Sequence, residues 1–359
     1  MAELKQRQSG TFDPFEDIYA TVFQLTMHTV GCNEAASDRA VSDKLLYFFD
    51  KVEAAGTPTV IMFPWFPSLA KLQRVIYGGR IYMMFDEFVK TRVAEGRRED
   101  DALQHYMDNG DDTLKIIKVN FSHHVPFVNR HADILQLVIG ALYAGQVNSG
   151  LNAAWVLMFL AANAEWRDAC RREVETIATK HDADTSRPLS ERLVAVPLTA
   201  WESDFPIGEA CLRETIRMNS CGTAFRQNLS DQPVQIADGE VIPSGWFATC
   251  AMADVHYNPE FYPDPTRWDP SRFLTSATSP HAGNDVPFIG WGTGRHPCSG
   301  QRFAKLEQNL IVAFFVAEFG DFELTDMAKG LPQANINAAS VQKPSKKSQW
   351  ITYMSERKV

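Results

Sequence analysis

The stretch Trp291–Phe303, WGTGRHPCSGQRF, sets a single cysteine behind a run of glycines and directly ahead of an apolar-striped segment of helical spacing, Gly300–Phe319. Gly292 and Gly294 permit backbone conformations that a Cβ resists, Pro297 stiffens the approach, and Gly300 leaves room beyond the cysteine. A loop built this way can come close to a flat object. Cys298 stands at the head of the helix, where unpaired N–H groups and the helix dipole favour negative charge and so favour a thiolate. A thiolate can act as a nucleophile, a zinc ligand or an iron ligand, and a thiol can simply fill a buried turn. No second cysteine or paired histidine stands at a usable zinc spacing, and His296, the nearest base, is separated by Pro297. A porphyrin brings four nitrogens of its own and needs only one axial thiolate.

Outward from this loop, the chain of 359 residues is 45% hydrophobic, enough to bury a large core in one big domain or two ordinary ones. Its formal net charge of −9 argues against general nucleic-acid or anionic-membrane binding, which draws on clustered positive charge, and leaves local basic patches open. The six cysteines are widely spread with no CxxC pair, the pattern of a reducing compartment. The N-terminus lacks an apolar signal core, and no window reaches the roughly 18–20 uncharged apolar residues that span a bilayer.

Helical periodicity runs over Phe15–Val30, Ala40–Ala55, Leu69–Glu95, Ala132–Ala162 and Trp166–Lys180. Three prolines forbid a continuous helix in Thr57–Leu69, which is expected as a buried apolar connector; contact with a membrane or an apolar ligand is the alternative. Gly96–Asp112 reads as a polar linker, and Asp182–Ala200 shows no strong pattern. A short helix is expected after Ile207, then small strands with turns at Asp238-Gly239 and Pro243-Ser244-Gly245, and an extended loop over Tyr257–Phe273. The expectation is one compact, mainly α unit with a minor strand component.

The string Trp291, Gly292, Gly294, His296, Cys298, Gly300 resembles the haem-binding loop of the cytochrome P450 family. Glu214 and Arg217, which alone read as a helical surface pair, lie in RETIRMNS, similar to the family's ExxR helix; DPSRF, Asp269–Phe273, is similar to its later arginine motif. The match is collinear through IPSGWF, HYNPEFYPDPTRW and FIGWGTGRHPC. Further back, AGTPTVIMFPWFPSLAKLQR and ALYAGQVNSGLNAAW look most like the sterol 14α-demethylase branch.

The resemblance implies a mainly α cytochrome P450 fold with small β-sheets, read as a single partial domain over 1–359 with its haem-binding core at about 132–320 and without the family's N-terminal strands and first helices. It implies haem b on Cys298, with Trp291 packing by the sulfur and His296 pairing with a propionate; Arg226 is either a second propionate ligand or a cross-strand surface charge. Glu214, Arg217 and Arg272 would form a buried ion cluster that holds the loop. The implied activity is monooxygenation of an apolar, terpenoid- or sterol-like molecule or another secondary metabolite, with electrons from NADPH-cytochrome P450 reductase or a similar donor; Arg295, Arg302 and Lys305 are either a docking face for that donor or solvated charges. The implied location is the cytoplasm or the periphery of the endoplasmic reticulum.

One departure bears on this chemistry. The long helix usually carries an acid or histidine and then a threonine as a proton relay, whereas the matching positions here are Val147 and Asn148. Valine moves no protons and the Asn148 amide is a poor substitute for a hydroxyl, so Ser149, an ordered water or a hydroxyl of the substrate is the expected stand-in. The alternative is a non-oxygenating haem-thiolate isomerase or dehydratase, or a haem-binding module. Gly145 is expected either to open this helix above the iron or to pack against a neighbour.

Overall fold

The computed structural model describes residues 9–57, 59–60, 63, 65–109, 130–219, 222–274, 287–295, 297–332, 341, 343–344 and 350–354. They divide into two compact units, Glu16–Gly150 and Met1–Phe15 with Leu151–Val359. The whole is mainly α with small antiparallel sheets, as the sequence led us to expect.

Strand β1 (Ser9–Phe12) leads into helix α1 (Pro14–Val30), followed by α2 (Asn33–Ser37), α3 (Arg39–Ala54) and α4 (Leu69–Glu95). In the unit Glu16–Gly150, α1, α3 and α4 bury Phe23, Met27, Phe48, Phe49, Ile81 and Phe85 in one cluster, each burial worth about 1.5–3 kcal/mol. Asp38 starts α3 by accepting from the N–H groups of Ala40 and Val41, and Ser68 starts α4 by accepting from Lys71. Gly96, at φ 62°, ends α4.

The segment expected as a polar linker holds a further helix, α5, at 102–109. Asp101 caps it by accepting from the Gln104 N–H at 2.8 Å, and Leu103 is fully buried beneath it. Asp101 and Glu34 also clasp the buried Arg92, which donates to them at 2.9 and 2.8 Å. Burial pushes both carboxyls up, but the Arg92 guanidinium overcomes it and holds each below its ordinary value.

Helix α6 (Arg130–Ala162) is continuous and passes from one unit into the other. Its last turns are buried and apolar all round, from Ala153 through Trp155 to Ala161, the mark of a helix enclosed on every side. Among the described residues, no helix is long and apolar enough to cross a membrane. After α6 come α7 (Ala164–His181), α8 (Leu189–Arg192), α9 (Leu198–Ser203) and α10 (Pro206–Asn219). Two of these, α8 and α9, lie where the sequence showed no pattern; they are too short for periodicity to register.

Strands β2 (Thr223–Gln227) and β5 (Phe247–Ala251) pair antiparallel, and β3 (Val234–Ala237) and β4 (Glu240–Ile242) form a hairpin turning at Asp238-Gly239. Helix α11 (Met252–His256) follows. The stretch Tyr257–Phe273 is not extended: it is a series of turns ending in a 3-10 helix, Pro270–Phe273, because each of its Asp and Pro residues favours a reversal. Helix α12 (Gln301–Glu318) packs with α7 and α9 around Val174, Trp201, Phe205 and Ala313. Strand β7 (Ile351–Met354) lies between β1 and β6 (Asp321–Leu324) in a three-stranded sheet.

Candidate functional site

Glu214 and Arg217 lie one turn apart on α10 and are fully buried. Arg217 grips the carboxylate with two parallel bonds, Nε to Oε2 at 2.7 Å and Nη2 to Oε1 at 2.8 Å. Arg272, from the 3-10 helix, brings its Nε to 3.4 Å from Glu214 Oε1. The remaining capacity is filled by backbone: Asp269 N–H donates to Glu214 at 2.9 Å, and Arg217 donates to the His256 carbonyl at 2.7 Å. The structure thus brings the three expected charges together. Burial pushes the Glu214 carboxyl up, opposed by the hydrogen bonds and charge of Arg217.

Four consecutive residues, Pro287 to Gly290, are docked on the residues that surround this cluster. The Pro287 carbonyl accepts from the Tyr262 hydroxyl at 2.6 Å. The Phe288 ring meets the Phe273 edge at 5.3 Å and lies 5.0 Å beneath the Arg213 guanidinium of α10. The Ile289 N–H reaches His256 Nε2 at 3.3 Å. Gly290 sits so close to α10 that a Cβ there would stand 2.4 Å from Ile216 Cγ2. Sequence reasoning missed His256, Arg213 and Gly290; all three act on partners distant in the chain, and only the crowding at FIG hinted at one of them.

Beyond Gly290 the chain projects as a turn. Gly292 and Gly294 take φ of 76° and 79°, the left-handed region that suits glycine. The Cys298 N–H closes the turn on the Trp291 carbonyl at 2.7 Å, and Gly300 caps α12. Cys298 is exposed, Trp291 is half-buried, and a Cβ added at Gly294 or Gly300 would meet nothing within 4 Å. His296 lies outside the described residues. Arg226 sits exposed on β2, paired with Ala248 and donating to the Phe225 carbonyl at 2.8 Å.

The residues present fit a haem. They offer one exposed thiol at a helix head beside open space, and among the described residues no group of three His, Cys, Asp or Glu could hold a bare ion. A planar macrocycle asks for one axial ligand and free approach over one face.

Three expectations are corrected. Helix α6 is not opened at Gly145: it stays α-helical, and a Cβ there would stand 3.4 Å from Thr26 Cγ2 of α1, so this glycine serves close helix packing. Beside it Val147 and Ser149 are buried and Asn148 is exposed. The basic face near the cysteine is partly neutralised, because Arg302 pairs with Glu202 at 2.7 Å and Lys305 with Glu209 at 2.6 Å, while Arg295 is exposed. In the connector after Gly56, Phe63, Trp65 and Phe66 are exposed, Trp65 by 75%, so the expected burial does not hold for these rings.

A family profile described as cytochrome P450 matches residues 1–350. The cytochrome P450 monooxygenase AacuE of Aspergillus aculeatus is 32% identical over 320 residues, which cover 88% of this chain and 60% of that protein. The cytochrome P450 monooxygenase dmxR5 of a Cryptosporiopsis species is 30% identical over 318 residues, 88% of this chain and 58% of its own. A sterol 14-demethylase of Arabidopsis thaliana is 24% identical over 302 residues, 83% of this chain and 56% of its own. The chain therefore spans about three-fifths of the length of the curated relatives it matches.

Proposed function

The chain belongs to the cytochrome P450 family, and on that premise we propose that it is a haem-thiolate monooxygenase acting on an apolar small molecule of the secondary-metabolite kind. The family binds haem b. When bound, the haem supplies activation of dioxygen and its insertion into a substrate C–H bond, with electron donation from the thiolate favouring O–O cleavage. The observation that carries this reading is the exposed Cys298 on a turn whose root is fastened to the buried Glu214–Arg217 pair.

Each residue then has a task. Cys298 ligates the iron; Gly292, Gly294 and Gly300 leave the approach open; Trp291 packs by the sulfur; and His296 and Arg226 pair with the propionates. Glu214, Arg217 and Arg272 keep the root of the turn in place. Asn148 and Ser149 keep the distal roles that the resemblance gives them, and residues 1–359 are taken as one partial domain. Reduced full-length chain under carbon monoxide should give the far red-shifted Soret band of thiolate-ligated haem, and a Cys298→Ala variant should not. A colourless wild type ends this reading.

A second reading, a non-oxygenating rearrangement enzyme, is favoured by Val147 and Asn148, which offer neither acid nor hydroxyl. Product formed without reductase or dioxygen would select it; strict dependence on both would dismiss it.

The electron donor is proposed as a reductase of the NADPH-cytochrome P450 reductase kind, docking near Arg295. The exposed Trp65, Leu69, Leu72 and Val75 are interleaved with Lys71, Arg74 and Arg80, with no acid between Gly56 and Phe85. That pattern suits peripheral contact with an anionic membrane surface such as the endoplasmic reticulum. Sedimentation with anionic vesicles, lost in Trp65→Ser with Leu72→Ser, tests it; unchanged sedimentation removes it.

A further inference from the structure

We propose that His256 is a positioning residue that seats the cysteine turn on the Glu214–Arg217 pair, by accepting the Ile289 N–H on a neutral ring. The inference rests on the reading of Cys298 as the haem ligand, and it assigns the fastening of that turn to a residue outside the ion cluster.

His256 is fully buried at the end of α11 and touches both partners at once. Its carbonyl accepts from Arg217 Nη1 at 2.7 Å. Its ring Nε2 lies 3.3 Å from the Ile289 nitrogen, and its plane stacks on Phe288 at 5.5 Å and 15°. His256 thus links the Arg217 guanidinium to the root of the turn, through its carbonyl on one side and its ring on the other.

The protonation state follows from the partners. A backbone N–H can only donate, so Nε2 must be bare and the ring proton must sit on Nδ1. An imidazolium would face the Arg217 charge inside the protein; burial first, and that charge second, push the ring down to about 4, so it stays neutral near neutral pH.

Nδ1 is buried without a hydrogen-bond partner among the described residues. That is a cost which a residue kept only for packing would not carry, since phenylalanine would fill the same slot against Phe288 and Tyr262 without it. What histidine adds over phenylalanine here is the acceptor at Nε2. Glutamine can place an oxygen at a similar reach; phenylalanine cannot.

The test compares the full chain with its His256→Phe and His256→Gln variants. Hydrogen exchange at the Ile289 amide is read without haem, and haem release to a scavenging apoglobin is read after loading. We expect His256→Phe to exchange at Ile289 roughly ten-fold faster, the scale of one lost hydrogen bond, and to release haem several-fold faster. His256→Gln should return both to within about three-fold of wild type. Wild-type exchange at Ile289 in a folded His256→Phe variant overturns the proposal. Should the phenylalanine variant not fold, the glutamine variant decides alone: near wild-type exchange supports the proposal, and fast exchange in an otherwise folded chain overturns it. If no form of the chain takes up haem, the reading of Cys298 fails while the exchange measurement still decides the role of His256.

Discussion

The N–H of Cys298 donates to the carbonyl of Trp291 across 2.7 Å, so the turn that presents the thiol is closed by backbone and not by the sulfur. Removing the sulfur therefore removes a ligand without removing the turn. Cys298→Ala should keep its melting temperature without haem within about 1–2 °C, consistent with a surface substitution, and should lose the red-shifted band under carbon monoxide. Calorimetry and absorbance on the same sample check both halves.

Glu214 neutralises Arg217 in full burial, so breaking the pair leaves a charge with no compensation. Glu214→Ala and Arg217→Ala should each destabilise the chain by about 3–5 kcal/mol in denaturant titration. Arg272→Ala should cost less, because its Nε stands 3.4 Å from the carboxylate and Arg217 keeps the two closer bonds.

Gly290 has no room for a methyl group: the added Cβ would stand 2.4 Å from Ile216 Cγ2 and 2.5 Å from Phe288 Cζ. Gly290→Ala should cost about 1–3 kcal/mol by overpacking and weaken haem retention. Ile216→Ala in the same chain should recover part of that loss. A double-mutant cycle with coupling near zero would show that the two residues do not meet.

Glu173 and His256 should pull stability in opposite directions with pH. Burial raises the Glu173 carboxyl from 4.5 to about 7, although it accepts from the N–H groups of Ile207 and Gly208 at the head of α10. A raised acid holds its proton in the folded state, so its contribution is whole below 4.5 and fades as pH rises through about 7. His256 falls from 6.5 to about 4, and a buried neutral base loses its contribution as pH drops through that window. Glu173→Gln should leave stability rising with pH between about 4 and 6.5. His256→Gln should leave it falling between 4.5 and about 7. Urea midpoints across that range, with changes of roughly 1–3 kcal/mol, separate the two.

What the sequence made legible was local. The long helices announced themselves through spacing and caps, with Leu69–Glu95 read to the residue. The glycines and proline made the shape of the cysteine turn readable on their own, and its haem-binding role was legible only through the resemblance of the whole string. The spacing of Glu214 and Arg217 gave only a pair on one helix face, and their burial was legible through the resemblance to the ExxR helix. Partner choice over distance was not readable: nothing in the string around Arg302 points to Glu202, and nothing around Ile289 points to His256. Helix α5 escaped because its apolar face is small, although Asp101 ahead of Leu103 and Tyr106 was a usable sign. The exposed Trp65 ran against the expectation of burial because apolar composition says what a residue would gain from cover, not whether a neighbour provides it.

Strand β7 is flanked by β1 on one side and β6 on the other, with Ser9 and Asp321 both facing Met354. In synthesis β1 precedes every other element of this sheet, and the edge that pairs with β7 stays open until Ile351–Met354 has been made. A nascent chain stalled before Ile351 would carry two bare strand edges. Chaperones that bind extended segments would find their target there, and fluorescent reporters fused just after Met354 would register completion of the sheet.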